Sequence, residues 1–474
     1  MKQPTSSPRR VLLVVSAAVL MASLDLFIVN IAFPDIQADL GGSDSTLSWI
    51  LNAYAIVFAA LIVPLGRIAD MVGRKRAFVA GLVVFAVASA LAAAAPSIGV
   101  LVAARVLQAI GAASLFPASL ALLLSAAPVA QRTAYVGAWA AVGGVAAAAG
   151  PPIGGLLVQL SWRWVFIVNL PVAIIALVAA VRVLREERDE TATGLPDLLG
   201  AVVLTLGVGS LTAAIVEGPG WGWSSSRVLG LFAAAIVLLA IFARRTLRHP
   251  IPVIEPELLR VRAFTAANLS ALAFFAGFGA MLLGGVLFLT RVWGEDVLTA
   301  GLMISPGPLM AATFSVLGAR LVDRFGHRPV AILGGVCFAA GSVFWASQMS
   351  ATADYVTDFL PGFMLGGVGV GLVIPTLSGA AVAALPPQRF ATGSGVFGMS
   401  RQLGSALGVA LLVAVIGTPA PAEAVNAFRH GVYLVIAGGL LAALAASFMG
   451  RVRVGTSPVL GTPLVGAASM GQTN

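Results

Sequence analysis

Apolar runs of roughly 17–25 residues, each long enough for a helix to cross a bilayer core about 30 Å thick, alternate with short polar segments along almost the whole chain. They lie near residues 11–33, 47–65, 77–95, 98–125, 133–159, 164–181, 196–215, 227–243, 264–290, 299–317, 330–347, 356–382, 393–416 and 430–449, and this pattern predicts fourteen spanning helices. The fold class that follows is an all-α polytopic membrane protein. An even number of crossings places both chain ends on one side of the membrane.

One polar segment has an echo. Gly66-Arg67-Ile68-Ala69-Asp70-Met71-Val72-Gly73-Arg74-Lys75-Arg76, after the second run, returns as Gly318-Ala319-Arg320-Leu321-Val322-Asp323-Arg324-Phe325-Gly326-His327-Arg328 after the tenth, with the two aspartates 253 residues apart. Two copies of one basic loop in the same orientation indicate a duplicated helix bundle, the signature of a transporter scaffold. The copies are eight spans apart, so a six-span repeat leaves room for two extra helices between the halves. The predicted organisation is a first six-helix bundle over 1–181, linkers and an inserted helix pair over 182–262, a second six-helix bundle over 263–450, and a Gly/Ser/Thr/Pro-rich tail over 451–474 expected to be disordered.

Composition excludes a soluble globule: 59% of residues are hydrophobic, 10% are charged, and the mean hydropathy is +1.00. The net charge of +9 raises the question of an acidic partner, and the placement of the basic residues answers it. Of 28 Lys and Arg, four (Arg163, Arg227, Arg291 and Arg429) fall in loops on one side and two, Arg105 and Arg401, inside spans, leaving 22 on the side of the termini. That asymmetry is the positive-inside pattern, so the charge reports orientation and not nucleic acid, and both termini are expected in the cytoplasm. Arg outnumbers Lys 26 to 2 in an Ala- and Gly-rich chain, which suggests a GC-rich bacterial genome and hence a bacterial cytoplasmic membrane.

Signals for other classes are weak. Arg9-Arg10 precede a 23-residue run that carries Asp25 and lacks a small-residue cleavage site, so an uncleaved first span is expected, not an export signal. The single Cys337 excludes a disulfide framework, and His249, His327 and His430 lack metal-ligand spacing. Without a phosphate loop or a nucleophile elbow, an enzyme is not expected, nor any metal or cofactor.

Three charges remain deep in the spans, Asp25, Arg105 and Arg401, and each costs about 2.5–3.5 kcal/mol at a helix centre even on the lenient insertion scale. At a rise of about 1.5 Å per residue, Asp25 lies ~21 Å and Arg105 ~20 Å from the face bearing the termini, with Arg401 nearer ~12 Å. An Asp–Arg pair at one depth is a candidate coupling device, because the cation favours the charged carboxylate and protonation releases it. The alternative is a permanent ion pair that locks two helices. Gln108, three residues from Arg105 on the same helix face, extends the patch, while the equivalent stretch of the twelfth span, Pro361 to Pro375, is uncharged.

The remaining candidates are structural devices and cavity residues. In the echoed loop, Gly66 and Gly73 are expected to form a tight turn, and Asp70, Arg74 and, in the second copy, Asp323, Gly326 and Arg328 to form a charge-assisted latch on the cytoplasmic side. The alternative is a headgroup anchor. In the fifth span, Gly143, Gly144, Gly150, Gly154 and Gly155 allow close helix approach, and Pro151 and Pro152 weaken the hydrogen-bond ladder. Phe274 and Phe278 at i, i+4 on the ninth span, with Tyr54, are candidates to line a cavity for flat apolar molecules, against the alternative of lipid or interhelix packing.

At this point the chain resembles the major facilitator superfamily, and specifically its fourteen-span drug:proton antiporter branch, across residues 11–450. The Gly66–Arg76 segment matches the superfamily's loop signature; Arg105-Val106-Leu107-Gln108-Ala109-Ile110-Gly111 is similar to its fourth-span signature and Gly150-Pro151-Pro152-Ile153-Gly154-Gly155 to its antiporter signature. Asp25-Leu26-Phe27-Ile28-Val29-Asn30 resembles the first-span signature of the branch, and Trp162-Arg163-Trp164-Val165-Phe166 with Asn169 and Pro171 its fifth-to-sixth turn. Ala146, Phe27 and Ala319 depart from those patterns without removing a charge. The resemblance implies two major-facilitator bundles around a substrate cavity, with Asn30, Tyr54, Gln108, Phe274 and Phe278 as candidate lining. It also implies a monomeric secondary transporter that meets small-molecule substrates, protons and membrane lipids and uses a proton gradient instead of a cofactor. The expected activity is proton-coupled efflux of hydrophobic, cationic or neutral small molecules such as antibiotics. A specific metabolite exporter or uptake permease on the same fold is the alternative.

Reporters fused after Arg76, Arg188, Arg262 and Arg328 should read cytoplasmic and one in the 218–226 loop external; an external reading at Arg262 would remove the inserted pair.

Overall fold

The computed structural model of the protein describes residues 7–128, 131–188, 194–385 and 389–450; the tail expected to be disordered lies outside them. It contains fourteen helices long and apolar enough to cross a membrane among the described residues. In order they are Pro8–Ile31, Asp44–Val72, Arg74–Ala93, Ile98–Ala126, Tyr135–Val158, Trp164–Val183, Leu198–Trp221, Ser226–Arg248, Arg262–Arg291, Val297–Phe325, His327–Gln348, Tyr355–Ala383, Thr392–Ile416 and Ala424–Ser447. Every predicted span is present.

Local chemistry explains where several of them start. The Ser43, Ser97, Asp197, Ser225 and Asp296 side chains accept from first-turn N–H groups of the second, fourth, seventh, eighth and tenth spans. Between the second and third spans the structure corrects the expected loop. Gly66 through Val72 are helical, and only Gly73, at φ +125°, leaves the helix before Arg74 begins the next. The second copy repeats this, with Gly326 at φ +84° between Phe325 and His327. Gly66 makes no turn; it lies against Pro117, where an added Cβ would stand 3.0 Å from the proline Cβ.

The helices pack as two bundles related by a shift of eight spans. Spans 1 and 4, 1 and 5, 1 and 6, 2 and 4, 3 and 4, and 3 and 6 touch in the first bundle, and the same pairs, eight higher, touch in the second. Two seams join the bundles: span 2 against span 13, and span 5 against span 10. These too are the same contact repeated. The inserted seventh span lies against spans 2 and 13 along the first seam, and the eighth packs chiefly on the seventh. Arg245 at the end of the eighth span clamps Asp197 at the start of the seventh, with Nη2 to Oδ1 at 2.6 Å. Burial pushes the Asp197 carboxyl up, but the hydrogen bonds from Arg245 and the Gly200 N–H hold it below its usual value.

The face opposite the termini is sealed. Arg291, ending the ninth span, holds the Asp44 carboxylate with two bonds of 2.5 and 2.6 Å and reaches Gln37 Oε1 at 2.8 Å, an ion pair from one bundle to the other. Beside it the fifth and tenth spans meet backbone to backbone, since a Cβ on Gly301 would lie 2.6 Å from the Pro151 carbonyl oxygen and one on Gly155 2.8 Å from the Leu298 Cα. Toward the termini the same seam parts. Gly137, Gly143 and Gly144 have no close neighbour, so of the fifth-span glycines only Gly150, Gly154 and Gly155 serve the close packing expected of all five.

Gly301→Leu should force the sealed end of this seam apart. We expect a loss of about 1–3 kcal/mol in stability, typical of overpacking, and faster labelling of a cysteine placed at Leu298 from the face opposite the termini.

Candidate functional site

At mid-membrane the first bundle contains a closed polar cluster built from five of its spans. Asp25 of the first span is 1% exposed and Arg105 of the fourth is fully buried. Arg105 Nη1 donates to Asp25 Oδ2 in a short ion pair and to Gln108 Oε1 at 2.8 Å. The other carboxylate oxygen accepts from Asn169 Nδ2 of the sixth span at 2.9 Å and from Gln108 Nε2 at 3.3 Å. Gln108 Nε2 also donates to the Ser89 hydroxyl of the third span at 2.8 Å. The carboxylate thus has three side chains donating to it, which is the condition for an ionised group to persist in a water-poor interior.

Arg105 carries the cluster to the second span. Its Nε donates to the Ile50 carbonyl at 3.2 Å, and its guanidinium carbon lies 4.3 Å from the centroid of the Tyr54 ring. Tyr54 is itself fully buried and stacks on Phe58. Removing the charge on Asp25 would therefore loosen an arginine that grips the helix forming one of the two seams. Chemically the arrangement holds a carboxylate and a guanidinium together and ties the pair to span 2.

The depth estimate paired Asp25 with Arg105, and the structure joins them. Gln108 joins as well, but Asn30 does not; its amide donates back to Leu26 O at 2.7 Å. Arg401 stands apart on the thirteenth span, its guanidinium carbon 5.9 Å from the Phe275 ring. Phe274 is corrected from cavity lining to core: it is fully buried, with its ring 4.8 Å from Phe338 inside the second bundle. Its neighbour Phe275, turned about 100° around the helix, is the ring that meets Arg401. Phe278, 9% exposed, stacks on Phe274 and meets Phe275 edge-on.

The expected latch has a different geometry. Arg74 Nε binds Asp70 Oδ1 at 2.8 Å one turn away, and Arg74 N donates to the Glu187 carbonyl at 2.8 Å. Glu186 accepts from the Lys75 and Arg76 N–H groups, both at 3.2 Å, capping the third span, and Lys75 Nζ reaches Val181 O. These bonds all stay within the first bundle and its linker. In the second copy no hydrogen bond joins Asp323 to Arg328 among the described residues; Arg324 instead lies over Phe325. An ionic contact that does cross between bundles is Arg291–Asp44, on the opposite face.

In the fifth span Gly150 abuts Phe27 and Gly154 lies against Ile28 and Ile31, so the first span is clasped beside Asp25. On the thirteenth, Gly404 and Gly408 approach Leu272 and Ala276 of the ninth in the same way. Sequence reasoning missed Ser89 and Ile50, whose residue types carry no signal, and used Asn169 only as part of a turn motif. The signal for Asn169 was an amide at the start of an apolar span.

Comparison with known proteins bears on the family and the fold. A model of the Major Facilitator Superfamily matches residues 15–409 and 269–469. Multidrug resistance protein Stp of Mycobacterium tuberculosis is 35% identical over 403 residues, covering 84% of this chain and 73% of that protein. Puromycin resistance protein pur8 of Streptomyces alboniger is 35% identical over 450 residues, 90% of this chain and 87% of its own. The crystal structure of a D-xylose–proton symporter superposes with a TM-score of 0.66 at 16% identity, over 94% of this chain and 97% of that one, a likeness of fold.

Arg105→Ala should destabilise the first bundle by about 3–5 kcal/mol, because it leaves a buried carboxylate unpaired. Asp25→Asn with Arg105→Gln should recover most of that loss, as read by thermal melting in detergent; a double variant no more stable than Arg105→Ala would mean the pair is not the source of the loss.

Proposed function

This chain belongs to the major facilitator superfamily and is a multi-pass membrane transporter, not an enzyme, and from that premise we propose that it exports hydrophobic small molecules in exchange for protons, with Asp25 as the proton carrier. The single observation that supports this reading is the Asp25 carboxylate held by Arg105, Gln108 and Asn169 at mid-membrane. A charge there is expensive, and nothing in packing alone requires it.

The similarity to resistance proteins over most of the chain supports export as the direction. The 22 basic residues on the termini side support a cytoplasmic assignment for that face. On this orientation the conformation described faces inward, with Arg291–Asp44 and the Gly155–Gly301 approach closing the outside. The protein acts as a monomer, takes substrate between the bundles, and needs no cofactor beyond the proton gradient.

Protonation of Asp25 removes the acceptor that holds Arg105. The guanidinium then rests on Gln108, Ile50 O and the Tyr54 face, and span 2 is free to rock against span 13. Asp70 and Arg74 stiffen the hairpin that follows span 2, so that its tilt carries span 3 with it.

Asp25→Asn keeps size and hydrogen bonding while removing the titrating group. Purified variant should release no protons on substrate addition, and export driven by a pH gradient should fall at least about tenfold. Proton release and pumping equal to the parent would make the pair structural.

A further inference from the structure

Ser89 of the third span is fully buried, and its part in the Asp25 cluster is decided by where its own proton goes. The hydroxyl donates to the Phe85 carbonyl one turn back at 2.8 Å. Its oxygen then has only lone pairs to offer the two amides that reach it, Gln108 Nε2 at 2.8 Å and Asn169 Nδ2 at a longer 3.4 Å. An amide can approach such an oxygen only with its NH2 group. Both amides are thereby turned the same way, and both NH2 groups also donate to one carboxylate oxygen, Asp25 Oδ1, at 3.3 Å from Gln108 and 2.9 Å from Asn169.

The consequence falls on the protonated state. An ionised Asp25 is an acceptor only and receives from Arg105, Gln108 and Asn169. A protonated Asp25 carries an O–H that needs an acceptor, and these three side chains all present donors to it. The new proton is satisfied only if an amide turns over and offers its carbonyl. Gln108 is fixed at both ends, with Oε1 accepting from Arg105 Nη1 and Nε2 donating to Ser89, both at 2.8 Å. Asn169 is held less tightly by Ser89, so it is the amide that can turn. Turning it sets its carbonyl oxygen against the Ser89 lone pairs, which is unfavourable while the hydroxyl proton stays on the Phe85 carbonyl.

Beside Asp25 the charged and titratable groups are Arg105 and, at its face, Tyr54. The helices around the first span add no other charge at this depth: spans 2, 3, 5, 6 and 9 are uncharged over residues 45–66, 77–93, 135–158, 164–181 and 263–290. Tyr135 of span 5 lies about four turns from Gly150, which packs beside Asp25.

We propose that Ser89 is a positioning residue of the proton site: it fixes the Gln108 and Asn169 amides with their NH2 groups toward Asp25 and so opposes protonation, and rotation of the Asn169 amide accompanies proton uptake. This rests on Asp25 as the proton carrier. The proton arrives on a carboxylate oxygen of Asp25, its hydrogen bond passes to the Asn169 carbonyl, and no other group of the cluster gains or loses a proton.

The test is infrared difference titration of purified protein in nanodiscs with no substrate added. The carboxylic-acid C=O band that disappears in Asp25→Asn reports protonation of Asp25, and its growth as pH falls gives a midpoint. Ser89→Ala deletes the oxygen that holds the amides, which favours the protonated form, so the midpoint should move to higher pH by about half to one pH unit. Ser89→Thr keeps the hydroxyl and should stay near the parent, while Ser89→Val, its isostere without one, should follow Ser89→Ala. In an Asn169→Ala background the effect of Ser89→Ala should fall to about half or less, because the residue through which it acts is gone. An unmoved or lowered midpoint in Ser89→Ala, or a full-sized shift in the Asn169→Ala background, overturns the proposal. Should the bulkier Thr and Val variants fail to fold, Ser89→Ala against the parent decides it, since that change removes a single heavy atom. A parent with no Asp25-dependent band at any pH defeats the proton-carrier reading and the proposal with it, whereas a band whose midpoint ignores Ser89 defeats the proposal alone.

Discussion

The placement of a carboxylate in a medium that cannot solvate it organises the first bundle. Asp25 can stay ionised there only if donors arrive from other helices, and the sequence supplies them from the fourth span (Arg105 and Gln108) and the sixth (Asn169). Ser89 of the third span and Ile50 of the second then complete the shell around those donors. Each of these bonds fixes the rotation and depth of a helix, so the same contacts that satisfy one charge also align five spans. Hydrophobic burial contributes little to that alignment, because lipid is as apolar as a neighbouring leucine.

The second bundle has the same helix contacts without the same charge. Its equivalents of spans 1 and 4 are held by small residues and rings, with Gly404 and Gly408 against the ninth span and Phe274 against Phe338. A scaffold that needed an ion pair for packing would have kept it in both copies. The first bundle therefore contains a buried ion pair, and the second an arginine, Arg401, that makes no ion pair among the described residues.

The two seams explain how such a molecule can have discrete states. Far from the termini the bundles are fastened by Arg291 to Asp44 and by the Gly155–Gly301 approach; nearer the termini the fifth span parts from the tenth. The fifth and tenth spans meet closely at one end, whereas spans 2 and 13 also touch nearer the termini, where a Cβ on Gly395 would stand 3.0 Å from a Val63 methyl; close-packed interfaces of this kind resist intermediate spacing and favour discrete arrangements. The inserted seventh span lies along the other seam, against spans 2 and 13, where it bears on the same motion.

The chain alone determined fourteen spans, their order, and the duplication offset by an inserted pair, because hydrophobic length is set by the bilayer and a repeated loop leaves a repeated pattern. It also put Asp25 and Arg105 at one depth, since depth follows from counting residues along a straight helix. What it left open was rotation. Whether Phe274 or Phe275 faces the other bundle, whether Gly66 turns or packs, and whether Ser89 reaches Gln108 all depend on azimuth, which helices hydrophobic all round do not encode. Tertiary structure also decided which ions cross between bundles. Asp70 and Arg74 read as a cross-bundle latch but satisfy each other one turn apart, while Arg291 and Asp44, unremarkable at the ends of two distant spans, become partners only when the bundles meet.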